Sequence, residues 1–285
     1  MRSANTPQIT SHTLVKNEAR FVWYSVMSVI EYVDHVLLWD TGSADGTVEI
    51  LKRIKELYPA KVDLRLLGEI DIYSFAKIRQ EMLDNTKTEW LLVNDGDEVW
   101  WEESIKKVCR EVKGKNRNME SVVVPTINLV GDMYHYQDES AGKYKLAGRK
   151  GNLSLRLINR KISGLASDKP HGTWGWVDNT GKMIQDRDPQ KILFVDAPYM
   201  HMTFLRRAGN FEDEGKVPKR VKKLKHEIGS SFRRDFYYPE VFFRRRPKEV
   251  QSPWDVMKTD FWLRSLVETP MRRLKRRILP ERVGY

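Results

Sequence analysis

Apolar residues recur along the N-terminal third of the chain with two alternating periods. QITSHTLV (8–15) reads as a strand, and KNEARFVWYSVMSVIEY (16–32) carries apolar residues at helical spacing. HVLLW (35–39) is a short buried strand and DTGSADGT (40–47) is turn chemistry. TVEILKRIKELY (47–58) is a helix, with Asp45 placed to cap it. VDLRLLG (62–68), YSFAKIRQEMLDNT (73–86) and EWLLVND (89–95) continue as strand, helix and strand. Regular alternation of this kind predicts βαβ units, hence a mostly parallel α/β sheet covered by helices on both faces.

From about Glu120 the pattern changes. SVVVPTINLVG (121–131), SLRLINRK (154–161) and KILFVDAPYMHMTF (191–204) read as strands, and the first two are separated by the polar loop QDESAGKYKLAGRKG. This half predicts a mixed sheet with long connections of the kind that carry binding loops. Beyond Arg206 the chain turns basic and aromatic, and short helices are expected there rather than more sheet. There is no internal repeat and no low-complexity tract.

Composition narrows the class. Hydrophobic residues make up 40% and charged residues 31% of the 285 positions, as in globular proteins. The lone cysteine, Cys109, excludes an internal disulfide and fits a reducing compartment. No apolar run approaches the ~18 residues of a membrane span, and the N-terminus lacks the apolar core of a signal peptide, so a cytoplasmic protein is expected. The formal charge is +11, and its location matters more than its size. Residues 206–285 hold 22 Lys and Arg against 11 Asp and Glu, while the first 205 hold 28 of each sign. A neutral body with a basic tail points to an anionic partner for the tail.

The chemistry collects where strands end. Lys16-Asn17-Glu18 follows the first strand, Asp40 the second, and Asp95-Gly96-Asp97-Glu98 the fourth. Ligands of open α/β sheets bind at the carboxyl ends of strands, so these groups are expected on one rim. Carboxylates crowded like those of WLLVNDGDEVWW (90–101) repel one another and lose solvation, so positive charge is expected beside them.

The order LVKNEARFVWYSVMSVIEYVDHVLLWDTGSADGTVEI, FAKIRQEML, WLLVNDGDEVWW resembles a family 2 glycosyltransferase of the GT-A fold. It is most similar to the bacterial branch that builds lipopolysaccharide core and related surface glycans. The resemblance runs over roughly residues 9–205 and includes LRLINRK, DKPH and YMHMTF. It implies a GT-A, Rossmann-like catalytic domain over 1–205, with a nucleotide-binding half to about 119 and an acceptor half over 120–205. Residues 206–285 are expected to form a basic, aromatic-rich helical extension. The implied reaction is an inverting, metal-dependent transfer of a sugar from a UDP- or GDP-linked donor to a hydroxyl of a glycan or lipid-linked glycan.

The resemblance also implies site residues. Asp95-Gly96-Asp97 matches the metal-binding Asp-X-Asp element, with Asp95 near the ribose and Asp97 on Mn²⁺ or Mg²⁺. Hard carboxylate oxygens suit either ion, which neutralises the departing diphosphate. Gly96 is expected to let the backbone turn sharply between the acids. Asp40 matches the position that hydrogen-bonds the base; its alternative role is to hold the turn that follows it. Asn17 and Glu18 match the Asn-Glu that walls the base pocket. Arg79 matches an arginine reaching for the nucleotide, although Gln80 stands where the family usually has Asn. His201 matches the late histidine of the metal or diphosphate shell. His171 aligns with the histidine of a Val-His-Glu segment, but Gly172 replaces the glutamate.

Inversion requires a base for the acceptor proton. Asp168 and Asp178 are the acceptor-half candidates, with Asp168 preferred because it shares a segment with His171. Trp174 and Trp176 in HGTWGW offer aromatic faces on which a sugar ring can stack, and their alternative role is core packing. In the tail, Met271, Leu274 and Ile278 share a helical face with Arg272, Arg273, Lys275, Arg276 and Arg277 around it. A basic amphipathic helix of this kind predicts peripheral docking on the anionic inner face of a membrane; the alternative is packing against the catalytic domain. Two other functions fit the residues less well. A nucleotidyltransferase would need a glycine-rich, basic loop after the first strand, and KNEAR is not one. A nucleic-acid binder would need a basic recognition face, which the neutral body lacks, so no nucleic-acid partner is expected.

Overall fold

The structure is a computed structural model that describes residues 8–71, 73–116, 118–168, 174–217, 220–223 and 226–278. In its first half strands and helices alternate: β1 (Ile9–Val15), α1 (Val22–Val29), β2 (His35–Asp40), α2 (Thr47–Leu57), β3 (Val62–Leu66), α3 (Ser74–Asn85) and β4 (Trp90–Val93). β5 (Glu98–Trp100) and α4 (Glu102–Lys113) follow. β4, β1, β2 and β3 pair in that order, all parallel. The predicted first helix is shorter than its apolar pattern. Residues before Val22 form a turn in which Asn17 adopts a left-handed φ of 53°, a conformation Asn tolerates better than most residues.

The second half adds β6 (Ser121–Val130), the short β7 (His135–Tyr136), β8 (Tyr144–Leu146) and β9 (Arg149–Gly151), then β10 (Leu153–Asn159), β11 (Ala166–Asp168), β12 (Gly175–Val177), β13 (Ile192–Phe194) and β14 (Tyr199–Phe204). β10 runs antiparallel between β4 and β6 and so joins the two halves into one sheet. KILFVDAPYMHMTF is two strands rather than one. Pro198 lies between β13 and β14, where its missing N–H breaks no ladder. β14 then pairs parallel with β6 and antiparallel with β5, setting His201 opposite Glu98. The stacked rings of Trp100 and Tyr199, 4.9 Å apart, pack β5 on β14.

The C-terminal stretch contains α5 (Phe211–Gly215), α6 (Arg220–Lys223), β15 (Ser230–Ser231) and α7 (Thr259–Ile278). Short helices were expected; α7, at 20 residues, is longer. Several aromatics of this stretch pack inward, while Tyr237, Phe243 and Trp262 stay exposed. Phe242 lies against Tyr24 of α1 at 5.2 Å, and Trp254 against Tyr238 and Phe242. α7 docks beyond the end of β6, where Asp132 accepts from Met257 N at 2.9 Å and Ile228 N donates to Thr269 at 2.9 Å. No helix among the described residues is long and apolar enough to cross a membrane.

His12, in the middle of β1, is fully buried. Thr86 Oγ1 donates to Met82 O, so its lone pair accepts from His12 Nε2 at 2.6 Å, and Nδ1 has no partner. Burial, with the charges of Arg79 and Arg160, pushes the imidazole down to about 3. The unfolded chain therefore binds a proton here that the folded chain refuses between that value and 6.5. The stability contribution is complete above 6.5 and falls as the pH is lowered. Urea denaturation should show His12→Gln losing about 2 kcal/mol less than the parent between pH 7 and pH 5.

Candidate active site

The WLLVNDGDEVWW turn is pinned from beneath by two serines of α1. Ser25 Oγ donates to Asp95 O at 2.7 Å and accepts from Asn94 at 2.9 Å, while Ser28 Oγ accepts from Trp100 N at 3.1 Å. Gly96 is needed for space rather than for a left-handed turn, because a Cβ there would fall 2.8 Å from Val15 Cγ1 and 2.9 Å from Glu18 Cγ. The turn thus lies directly on the loop after β1, as the rim argument predicts.

The positive charge expected beside these carboxylates is present, and it comes from four separate places. Arg79 of α3 donates to Asp95 at 2.9 Å. Arg156 of β10 binds Glu98, which also accepts from Tyr199 OH at 3.1 Å. Arg207, just after β14, binds Asp97 and lies 3.3 Å from Glu18. Arg220 of α6 donates to Glu18 at 2.6 Å. His201 Nε2 lies 3.3 Å from Asp97 and 3.9 Å from Glu98. Glu214 completes the cluster by accepting from the backbone of Ala208 at 2.8 Å, which folds the 207–214 loop over Asp97. Arg156, Arg207, Arg220 and Glu214 are not among the site residues that the sequence predicts. The positive excess after Arg206 was visible, but nothing local marked which cations turn inward.

Environment sorts the acids. Burial pushes Asp97 up, but Arg207 and then His201 outweigh it and hold the group well below the usual carboxylate range. At Asp95 the same contest goes to Arg79 and Arg156, and the group is again lowered. Burial wins at Glu98, which Asp95 and Asp97 push up further. It also wins at Glu18, which sits at about 8 despite Arg207 and Arg220.

Except for the fully buried Glu98, these acids border a cleft of about 1240 Å³ at the carboxyl ends of β1 and β4. Glu18, Arg79, Asp95, Asp97, His201, Trp174 and Trp176 all line it. Asp95 keeps 36% of its side chain exposed there. Arg79 is buried between the rings of Phe75 and Trp174, with centroids at 5.4 and 5.1 Å, and its Nε and Nη1 have no partner. Trp174 stands edge-on to Trp176 at 5.3 Å and donates to Ser167 at 2.6 Å. Trp176 is 4% exposed and packs in the core behind the cleft, so only a sliver of its ring is available as a sugar platform.

Other expectations are displaced. Asp40 does not line the cleft. Its Oδ1 accepts from Gly42 N and Ser43 N at 2.9 and 3.0 Å and its Oδ2 from the Ser43 hydroxyl, the turn-holding role noted as its alternative. Asn17 is also outside the lining. It accepts from Ala44 N at 2.8 Å and donates to Asp213 O at 2.9 Å, tying the loop after β2 to α5. Asp178 is occupied by its own turn and by Arg187. Thr180 hydroxyl donation first, with backbone donation from Thr180 and Lys182, draws it down to about 2 despite burial. A group so stabilised as an anion, and outside the cleft, is poorly suited to accept an acceptor proton. Asp168 lies in a separate shallow groove against α3, with Gln80 and Lys77. His171 lies outside the described residues.

Whether a divalent cation fits can be judged from the donors. Among the described residues no group of three or more His, Cys, Asp or Glu is arranged to hold a metal. Asp97 and His201 do offer a carboxylate oxygen and an imidazole nitrogen facing one cleft. Two protein donors, with phosphate oxygens and water completing the shell, are a sufficient contribution for Mg²⁺ or Mn²⁺ at a nucleotide site. The residues fit, provided Arg207 releases Asp97.

Among curated proteins none matches the chain. Solved structures similar to it include a mannosyltransferase from Pyrobaculum calidifontis in complex with GDP-Man and Mn²⁺ (15% identity, 71% of this chain and 59% of that one, TM-score 0.45). Others are S. aureus TarS 1-349 with UDP-GlcNAc (12%, 68% and 58%, 0.46) and Mycobacterium tuberculosis glucosyl-3-phosphoglycerate synthase with Mn²⁺, UDP and glucosyl-3-phosphoglycerate (14%, 76% and 78%, 0.45). The chain spans about 59% of the length of the Pyrobaculum protein. The profile of glycosyl transferase family 2 matches residues 12–175, more than half of the sequence and the stretch that carries Glu18, Arg79, Asp95 and Asp97. The chain belongs to glycosyl transferase family 2.

Proposed function

We propose that this protein transfers a sugar from a UDP- or GDP-linked donor to a hydroxyl of a glycan or lipid-linked glycan, in cell-surface glycan synthesis. The observation that carries the reading is the meeting of Asp95, Asp97 and His201 on one cleft at the carboxyl ends of parallel strands, in a chain of this family.

Asp97 and His201 would hold a divalent cation, Mn²⁺ or Mg²⁺, which when bound supplies charge neutralisation for the leaving diphosphate. Arg79, with two unpartnered buried nitrogens beside Asp95, is suited to donate to phosphate oxygens, and Asp95 to accept from ribose hydroxyls. Arg207 has to leave Asp97 for the cation to bind, and its guanidinium is then free to meet the diphosphate. Glu18 holds Arg207 and Arg220 on that side of the cleft. Inversion is the outcome expected from the family resemblance. The acceptor hydroxyl would attack the anomeric carbon as the bond to the diphosphate breaks, its proton passing to a base. Asp168 and Asp178 are not assigned that task, since neither borders the cleft.

α7 supports peripheral docking on a bilayer. Leu263, Val267, Met271, Leu274 and Ile278 recur at helical spacing and are between 55% and 72% exposed, while Ser265 and Thr269 turn inward. The helix therefore presents its apolar stripe to solvent, and Arg264, Arg273 and Arg277 are also exposed. Interfacial helices have this arrangement, and the cations match an anionic leaflet.

Four outcomes are expected. Asp97→Ala and Asp97→Asn should each lower Mn²⁺-dependent UDP or GDP affinity at least tenfold by calorimetry. Asp178→Asn should leave that affinity unchanged and cost about 1–3 kcal/mol of stability. Undiminished metal-dependent binding in both Asp97 variants would remove the site assignment. Arg207→Gln should bind Mn²⁺ more tightly than the parent in the absence of nucleotide, read by electron paramagnetic resonance, and bind nucleotide more weakly. Val267→Asp/Leu274→Asp should no longer sediment with phosphatidylglycerol vesicles; recovery equal to the parent would end the docking proposal.

A further inference from the structure

Charge along the cleft is segregated. All five carboxylates that line it, Glu18, Glu69, Asp71, Asp95 and Asp97, come from the first 119 residues. From residue 120 onward the described lining contains eight Lys and Arg and no carboxylate. Arg156, Arg207 and Arg220 are paired with Glu98, Asp97 and Glu18, as described above, and Lys216 pairs with Asp213. The remaining cations, Lys143, Arg272, Lys275 and Arg276, form a different set.

Lys143 stands in the loop before β8, and the other three lie on the last turns of α7. Lys143 and Lys275 have no carboxylate partner among the described residues. Arg276 is held by Glu227 through two bonds of 2.6 Å. Arg272 gives one nitrogen to Glu268 at 2.7 Å, while its Nε is buried with no acceptor. These pairings orient two guanidiniums at the cleft, and the two lysines add uncompensated charge.

The donor does not account for this set. A nucleotide-sugar diphosphate carries about two negative charges, which a divalent cation held by Asp97 and His201 would offset. Nor does a neutral sugar. Its hydroxyls both donate and accept and suit the amides of Asn128, Gln137, Asn152 and Gln185 in the same lining, whereas ammonium and guanidinium groups only donate. A phosphate has only acceptor oxygens and suits such a wall. α7 adds a second, independent observation, because its exposed apolar stripe lies on the side away from Arg272 and Arg276.

We infer that Lys143, Arg272, Lys275 and Arg276 form a phosphate subsite for the acceptor, which is a membrane-anchored molecule bearing a phosphate close to the hydroxyl that receives the sugar. Naming this wall the acceptor side rests on the glycosyltransferase reading. The bilayer side of α7 meets the anchor, and its inner side meets the phosphate.

The test uses the full chain saturated with Mn²⁺ and UDP or GDP, so that the donor side is filled. Inorganic phosphate and monomeric dihexanoyl phosphatidic acid are titrated in, and binding is followed by amide chemical-shift changes. The parent should bind both probes, and Lys143→Gln/Lys275→Gln should weaken them tenfold or more with nucleotide affinity unchanged. Val267→Asp/Leu274→Asp, altered only on the outer stripe, should keep both probes. The inference is overturned if saturating nucleotide abolishes probe binding, or if the lysine pair leaves it unchanged. It is equally overturned if that pair loses only phosphatidylglycerol vesicles, which would make the cations headgroup contacts. Failure of the nucleotide to bind would instead count against the glycosyltransferase reading, and the probe titration without nucleotide would still report on the subsite.

Discussion

Burying Asp97 together with Glu18 and Glu98, each close enough to feel its charge, is the constraint around which this molecule is organised. Each carboxylate leaves water, and Asp97 repels both of the others, so the arrangement holds only if cations are delivered to it. The chain delivers them from α3, β10, the loop after β14 and α6. The parallel half and the C-terminal stretch are therefore bound to each other through charge as well as through packed aromatics. Removing one partner leaves an uncompensated buried ion, which is much costlier than the net worth of the pair.

The same pairing gives the cleft its chemistry. Asp97 and Asp95 are held ionised, while burial keeps Glu18 and Glu98 readier to take up protons. One region thus contains carboxylates fit for a cation and carboxylates whose work is to position arginines. The guanidinium of Arg207 sits on Asp97, where the proposed function would have a divalent cation take its place. α7 extends this logic outward, with its polar inner face on the cleft and its apolar face left to solvent.

Much of this was legible in the residues. Alternating periods over 8–95 predicted the strands β1 to β4 and helices α2 and α3 almost to the residue, because amphipathic burial imposes those periods directly. The crowded acids of WLLVNDGDEVWW announced that cations must lie nearby, and Met271, Leu274 and Ile278 announced an apolar helical stripe. The roles of Asp40 and Asp178 were not legible. A carboxylate before a Gly-Ser or Asn-Thr-Gly turn looks the same in sequence whether it faces its own backbone or a ligand. KILFVDAPYMHMTF read as one strand because apolar continuity does not say where a strand changes its neighbour.

What the sequence by itself determined is local: the periods that make a parallel α/β layer, the acids at strand ends, and the charge imbalance confined to the last 80 residues. Only the tertiary structure decided which of the many late arginines turn inward. Arg207 and Arg220 meet Glu18 from about 200 residues away, and Arg156 meets Glu98 across the sheet. Pairing of that kind depends on where strands cross and loops return, and each surface or buried arginine is identical until a carboxylate is folded against it. The reason is physical: a side chain's period is written in its neighbours along the chain, but its electrostatic partner is written only in space.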